Sequence, residues 1–361
     1  MKLFPVLSRG LRALPLLMLG GCNTVVMHAS GDIAVQQGKL ILVATYLMLL
    51  IIVPVIALTI LFAWRYRASN TKATYTPDWD HSTQLELVIW GAPLLIIIAL
   101  GLVTWISTHT LDPYQPLRRL DAERDLPAGV QPLEVEVVAL DWKWLFIYPE
   151  QGIATVNDLA APVDRPIRFH ITASTVMNSF YIPALAGQIY AMPGMQTTLS
   201  AVINKAGDYD GMSANYSGGG FSNMRFKFHG VDQAGFNAWV AQAKASPLAL
   251  DRPAYLALEQ PSKKVPVQRF GTVTEKLFDA VVNRCVDTSH MCMNQMMAID
   301  EQGGMGRNDS VARPQVLVSD PSGEQNRLLT KPYVRADVCA PEKGGLRQAA
   351  AQQVAASHLP N

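Results

Sequence analysis

The order of apolar and polar positions changes character near residue 110. Before it, Leu40–Trp64 (LILVATYLMLLIIVPVIALTILFAW) carries no charged side chain, and neither does Leu87–Ile106 (LVIWGAPLLIIIALGLVTWI). As helices these runs measure roughly 37 Å and 30 Å, enough to cross a hydrocarbon core about 30 Å thick. They predict transmembrane helices over 40–64 and 86–107, with Trp64, Trp90 and Trp105 near the ends as interfacial anchors. Pro54 and Pro93 interrupt the runs. Inside a bilayer the carbonyls freed by proline need partners from neighbouring helices, so both residues point to packing against another membrane subunit.

From about residue 125 the period becomes two. LEVEVVAL (133–140), WKWLFIY (142–148), IRFHI (167–171) and MRFKFH (224–229) alternate or run apolar over strand lengths. Pro149, Gly152, Pro162, Pro166, Pro193-Gly194 and Gly207 punctuate them. Many short strands in so little chain predict an all-β sandwich or barrel over 125–230. Helical spacing returns in VDQAGFNAWVAQAKAS (231–246), where Phe236 and Trp239 share a face. Thr272 and Glu275 form a capping-box pattern that predicts a further helix through KLFDAVVNRC. The region 231–290 therefore reads as helical, and 291–361, rich in Gly, Gln, Ser and Asp without a period, as a flexible tail.

Charge adds a topology. Lys+Arg number 30 against Asp+Glu 29, with no basic run, which argues against nucleic acid as a partner. Arg65, Arg67 and Lys72 cluster just after the first apolar run. The positive-inside bias places 65–85 in the cytoplasm, and 22–39 and everything after about 108 in the periplasm of a bacterial inner membrane. Lys2, Arg9 and Arg12 precede the short apolar stretch ALPLLMLGG, so 1–21 reads as a signal peptide. It ends at Leu19-Gly20-Gly21-Cys22, which resembles the lipobox of bacterial lipoproteins and implies lipidation of Cys22.

The stretch YDGMSANYSGGGFSNM (209–224) has the spacing of a copper-binding loop, yet it contains neither cysteine nor histidine. Together with DWKWLFIYPEQGIATVN (141–157) and VMNSFYIPALAGQIYAMPGMQT (176–197), it resembles subunit II of haem-copper terminal oxidases, in the quinol-oxidase branch of cytochrome bo type. The resemblance implies two transmembrane helices followed by a cupredoxin-like Greek-key sandwich. In the cytochrome c oxidase branch this region holds two copper ions. By carry-over, Asn178 stands for the first histidine, Ser213 and Ser217 for the bridging cysteines, Asn215 for a glutamate and Phe221 for the second histidine, while Met224 is kept. Thiolates and imidazoles are what hold copper in such a site, so no metal is expected here. The resemblance further implies a chain without a cofactor of its own. It would pack on subunit I, which carries haems and copper, and on the other subunits and membrane lipids. Ubiquinol would be oxidised at the level of the complex, with no role for cytochrome c. This chain would count as an enzyme only as part of that complex.

Individual residues carry competing readings. Glu86, at the cytoplasmic start of the second run, is either a helix-start carboxylate favoured by the macrodipole or, by resemblance, the entrance of a proton-uptake path into subunit I. Trp142 and Trp144 are expected on one face of a strand, in core and interface packing. Cys285, His290, Cys292 and the methionines of 285–297 allow a copper(I) site, a Cys285–Cys292 disulfide or a Met-rich packing face. Cys339 has no assigned role. Two other functions compete: a copper-bearing cytochrome c oxidase subunit II, opposed by the serines, and a free-standing copper-binding lipoprotein, opposed by the paired uncharged helices.

Overall fold

The structure, a computed structural model, describes residues 24–74 and 76–301. Cys22, the signal segment and the chain beyond 301, with Cys339, lie outside the described residues. After a 3-10 turn at Val25–His28, helices α1 (Asp32–Arg65) and α2 (Thr83–Thr110) form the hairpin, both long and apolar enough to cross a membrane. Each outlasts its uncharged run. Helix α1 starts at Asp32 because a carboxylate in the first turn suits the positive helix end, and because Asp32, Ala34 and Gly38 are buried. Helix α2 runs on to Thr110 through Thr104 and Thr108, whose hydroxyls donate back to carbonyls four residues earlier at 2.8 Å. Pro54 and Pro93 sit inside these helices, and the apolar side chains around them are exposed in the isolated chain.

The domain that follows is a sandwich. Its strands are β1 (Leu133–Leu140), β2 (Lys143–Tyr148), β3 (Ile153–Val156), β4 (Asp158–Pro162), β5 (Pro166–Ala173), β6 (Asn178–Tyr181), β7 (Ile189–Ala191), β8 (Thr197–Val202), β9 (Gly207–Ser213) and β10 (Arg225–Val231). Helix α3 (Gln233–Lys244) comes next, capped by the Asp232 carboxylate on Gly235 N. Then come β11 (Ala249–Leu250), α4 (Arg252–Glu259), β12 (Gln268–Phe270), β13 (Thr272–Val273), α5 (Leu277–Val282) and α6 (Met293–Glu301). One sheet has the order β12-β3-β2-β1-β5-β8 and the other β4-β10-β9-β6-β7. The pairs β1–β5 and β4–β10 are parallel, so strands cross between edges in Greek-key fashion.

Two apolar layers explain why β1 and β2 do not alternate cleanly. Odd positions of β1 (Val135, Val137) and even ones of β2 (Trp144, Phe146) fill the space between the sheets, beside Phe169, Phe180, Phe226 and Phe228. The opposite face, Val138, Leu140, Leu145 and Ile147, is covered by Leu250, Tyr255, Phe270, Leu277 and Phe278 from the C-terminal segment. A strand buried on both faces reads as a continuous apolar run. Rings dominate the inner layer: Phe180 stacks on Phe226 at 5.5 Å, and Trp144 meets Phe180 edge-on at 5.4 Å.

Several local expectations need correction. The region 231–290, expected helical, also holds β11, β12 and β13, with β12 joining the edge of the larger sheet, and α6 covers the start of the stretch expected as a flexible tail. No helix starts at Thr272: Thr272 and Val273 pair as β13 with Ala249 and Leu250, and α5 begins only after Lys276, whose backbone is left-handed. A strand pairing used the backbone groups that a capping box would have needed. Trp142 and Trp144 do not share a strand face either. Trp142 occupies a left-handed turn (φ 64°) ahead of β2, outside the sandwich.

Candidate functional site

The loop joining β9 to β10 lies at one end of the sandwich, and its backbone is held on both sides. Ser213 N donates to Met224 O at 3.1 Å and Ala214 N to Ser179 O at 2.9 Å. A 3-10 turn at Phe221–Asn223 closes the loop, so that residues from β6, β9, the loop and β10 meet. Asn178, Ser213 and Met224 are buried, and Asn215, Ser217 and Phe221 are half-buried.

These side chains form a network of their own. The Ser213 hydroxyl lies 3.1 Å from Asn178 Oδ1 and 3.2 Å from Asn215 O, both acceptors for its one proton. Asn178 Nδ2 donates to Val176 O at 3.1 Å, and Asn215 Nδ2 to Met177 O at 3.2 Å. Ser217 Oγ faces the Met224 sulfur at 4.0 Å. Phe221 turns its ring to Tyr216, centroids 5.6 Å apart. The donor set is therefore two hydroxyls, two amides and one thioether, with a phenyl ring in place of any imidazole. Serine hydroxyls stay protonated at neutral pH and cannot bridge two copper ions, and amides are weak ligands for soft metals. A dinuclear copper group does not fit these residues.

Over the loop sits Trp142. Its Nε1–H donates to Ser217 O at 2.9 Å, and Lys263 Nζ stands 5.3 Å from the ring centroid. A Cβ at Gly220 would fall 2.2 Å from the Trp142 ring, so only glycine allows this approach. Lys143, the next residue, points to the other side of the sheet and is fully buried. Its ammonium donates to Gln260 O at 2.8 Å and Ser262 Oγ at 2.7 Å, tying down the strap that carries Lys263. Burial pushes the Lys143 ammonium below its usual range, and Asp141 and Glu259 oppose that shift. The three residues of Trp142-Lys143-Trp144 thus serve the loop, the strap and the core in turn.

Sequence reasoning passed over a second polar centre, Asp158 at the start of β4. Its side chain is 4% exposed yet accepts from His229 Nε2 at 2.9 Å, Trp239 Nε1 at 3.1 Å and Arg269 Nη2 at 2.9 Å. It joins β10, α3 and β12 at one point. The only signal in the sequence is an aspartate beside a strand, which local pattern cannot distinguish from a turn residue.

Glu86 lies far from this loop in sequence, in the first turn of α2. Its carboxylate is 51% exposed and sits 2.8 Å from His81 Nδ1, while His81 Nε2 reaches Thr83 Oγ1 at 3.1 Å. In the 285–297 segment, Cys285 and Cys292 form a disulfide with Cα atoms 4.8 Å apart. That pairing removes both thiols from any copper(I) site. Met293 packs against Gly194, and Met296 and Met297 stay exposed.

Comparison with known proteins places this geometry. The family model described as "Cytochrome C oxidase subunit II, periplasmic domain" matches residues 135–231, and "COX Aromatic Rich Motif" matches 244–289, the layer over β1 and β2. The chain is 50% identical over 283 residues to cytochrome bo(3) ubiquinol oxidase subunit 2 of Pseudomonas putida, covering 78% of this chain and 87% of that protein. It is 51% identical over 266 residues to ubiquinol oxidase subunit 2 of Acetobacter aceti, covering 74% and 84%. The chain belongs to the ubiquinol oxidase subunit 2 family. A crystal structure of the periplasmic domain of subunit II of cytochrome oxidase from Bradyrhizobium japonicum matches at 24% identity with a TM-score of 0.30, over 31% of this chain and 93% of that one. Family membership and the two long apolar helices make this an inner-membrane protein.

Proposed function

We propose that this chain is subunit 2 of a proton-pumping ubiquinol oxidase, one that oxidises ubiquinol in the membrane and reduces oxygen to water. The observation that supports it most is the Asn178–Ser213–Asn215 hydrogen-bond network, which places hydroxyl and amide groups, engaged with one another, where copper would need thiolates and imidazoles. On this reading Asn178, Ser213, Asn215, Ser217, Phe221 and Met224 occupy the former copper-ligand positions. With no electron acceptor at the domain surface, a soluble cytochrome c has nowhere to deliver electrons. A lipid-soluble quinol reaches the partner subunit from within the membrane instead.

The sandwich then sits in the periplasm on subunit I, which supplies the haems and the oxygen-reducing copper. The chain is held by its two helices and by a lipid on Cys22. Glu86 opens a proton path on the opposite side of the membrane. His81, at hydrogen-bond distance, gives that carboxylate a second exchangeable group facing solvent. The copper-bearing cytochrome c oxidase reading shares the periplasmic-domain family model, but Ser213 and Ser217 oppose it. Detergent purification through a tag on this chain tests the assignment. A co-purified partner with haem absorbance, and ubiquinol-dependent oxygen uptake, are expected. A chain that purifies alone, without haem, would contradict it.

A further inference from the structure

A cavity of about 500 Å³ lies between the ends of the helix hairpin and the underside of the sandwich, outside the chemistry described so far. Asp32 of α1, His109 of α2, Asp112, Arg118, Arg119 and Ser200 of β8 stand in its wall. Arg119 sends Nε and Nη2 to the buried Asp32 carboxylate at 2.9 and 3.0 Å, so the two charges offset each other and Arg119 offers Nη1 as a donor without a partner among the described residues. The Asp112 carboxylate accepts from Tyr114 N at 3.0 Å. Arg118 is exposed, and its guanidinium has no partner among the described residues. Ser200 is only 6% exposed, and its Oγ makes no hydrogen bond. A buried hydroxyl left unpaired is costly, so an incoming oxygen would be welcome there.

A second, mostly carbon-lined trough begins where the first cavity ends. His109 belongs to both, and Ile97, Leu100, Gly101, Thr104 and Trp105 continue the trough down α2. From His109 to Ile97 the helix descends roughly 18 Å, more than half of a hydrocarbon core about 30 Å thick. A polar, cation-bearing chamber where the helices leave the membrane thus opens onto an apolar channel running into it.

We propose that this junction binds one membrane phospholipid, with its phosphate at Arg118, Arg119 and Ser200 and an acyl chain along Ile97–Trp105 of α2. The site requires the hairpin to span the bilayer. It does not require the quinol reading, because a complex can oxidise quinol normally and still retain no lipid here. Free phosphate shares the headgroup chemistry but has nothing to place in the trough.

Native mass spectrometry of the assembled, detergent-exchanged complex tests this by ejecting the chain and weighing what stays bound. The wild-type chain should carry one phospholipid. Arg118→Glu should lower that fraction about fivefold or more, the effect expected for losing one basic residue beside an anionic group. Gly101→Leu, at a position with open space around its Cβ, should fill the trough and lower it as much without touching charge. Both variants are compared at haem content equal to wild type, and millimolar inorganic phosphate should not displace the lipid. Unchanged retention in either variant, displacement by phosphate, or a lipid-free wild-type chain would overturn the proposal.

Discussion

Glu136 offers a quantitative check on the layer that covers β1. It sits among the even-numbered positions of that strand, half-buried and facing α5. Burial, and then the charge of Asp279 on α5, push its carboxyl up to about 7 from an ordinary value of 4.5. Across that window the folded chain holds a proton that the unfolded chain has released, so stability falls as pH rises from 4.5 to about 7. At about 1.4 kcal/mol per pH unit the window amounts to roughly 3 kcal/mol. Solvent screening of a half-exposed carboxyl reduces this to about 1–2 kcal/mol. Glu136→Gln removes the titrating group. It should match wild type in acid and exceed it by about 1–2 kcal/mol at about pH 8. Asp279→Asn should recover a smaller part of the same gain. Urea unfolding of the detergent-solubilised full chain, followed by near-ultraviolet circular dichroism across pH, measures this directly. Parallel pH profiles for wild type and Glu136→Gln would refute the reasoning, and with it the burial of Glu136 beneath α5.

Three further perturbations address other parts of the chain. Gly220→Ala places a methyl against the Trp142 ring, so it should break the Trp142–Ser217 hydrogen bond and destabilise by about 1–3 kcal/mol, visible as changed tryptophan emission and a lower urea midpoint. Asp158→Ala strands Arg269 and His229; because both are 30% exposed, the cost should be about 2–4 kcal/mol, below the 3–5 of a fully buried pair. A melting point equal to wild type would remove Asp158 as the joint between sandwich and C-terminal layer. Glu86→Gln should lower quinol-dependent oxygen uptake several-fold at matched haem content, with Glu86→Asp retaining more. A helix-start charge contributes only about 0.3–1 kcal/mol, so equal rates for all three would leave Glu86 a purely local role.

Several features were legible in the sequence because their physics is local. An uncharged run long enough to cross a bilayer has few other uses, and period-two stretches between Gly and Pro read as strands. The residue types at 178, 213, 215, 217 and 221 speak for themselves, since no conformation turns a serine hydroxyl into a thiolate. What stayed hidden depends on contacts distant in sequence. The even face of β1 reads as half-polar because of Glu134 and Glu136, and only the fold shows residues 250–281 lying over it. Thr272-Val273-Thr274-Glu275 has the local pattern of a helix start, but β11 claimed its backbone. Trp142 and Trp144 are two apart, which suggests one strand face until the left-handed turn at Trp142 separates them. Asp158 gains its importance from His229, Trp239 and Arg269, between 71 and 111 residues away. The choice between disulfide and metal at Cys285 and Cys292 needed the distance between them.

The central claim is that electrons reach the partner subunit from a quinol in the membrane and never pass through this chain. Oxygen uptake by the purified complex, measured in parallel with ubiquinol and with reduced soluble cytochrome c, tests it most directly. The account predicts rapid uptake with ubiquinol and none above background with cytochrome c. Turnover on cytochrome c, accompanied by copper bound to this chain, would contradict it.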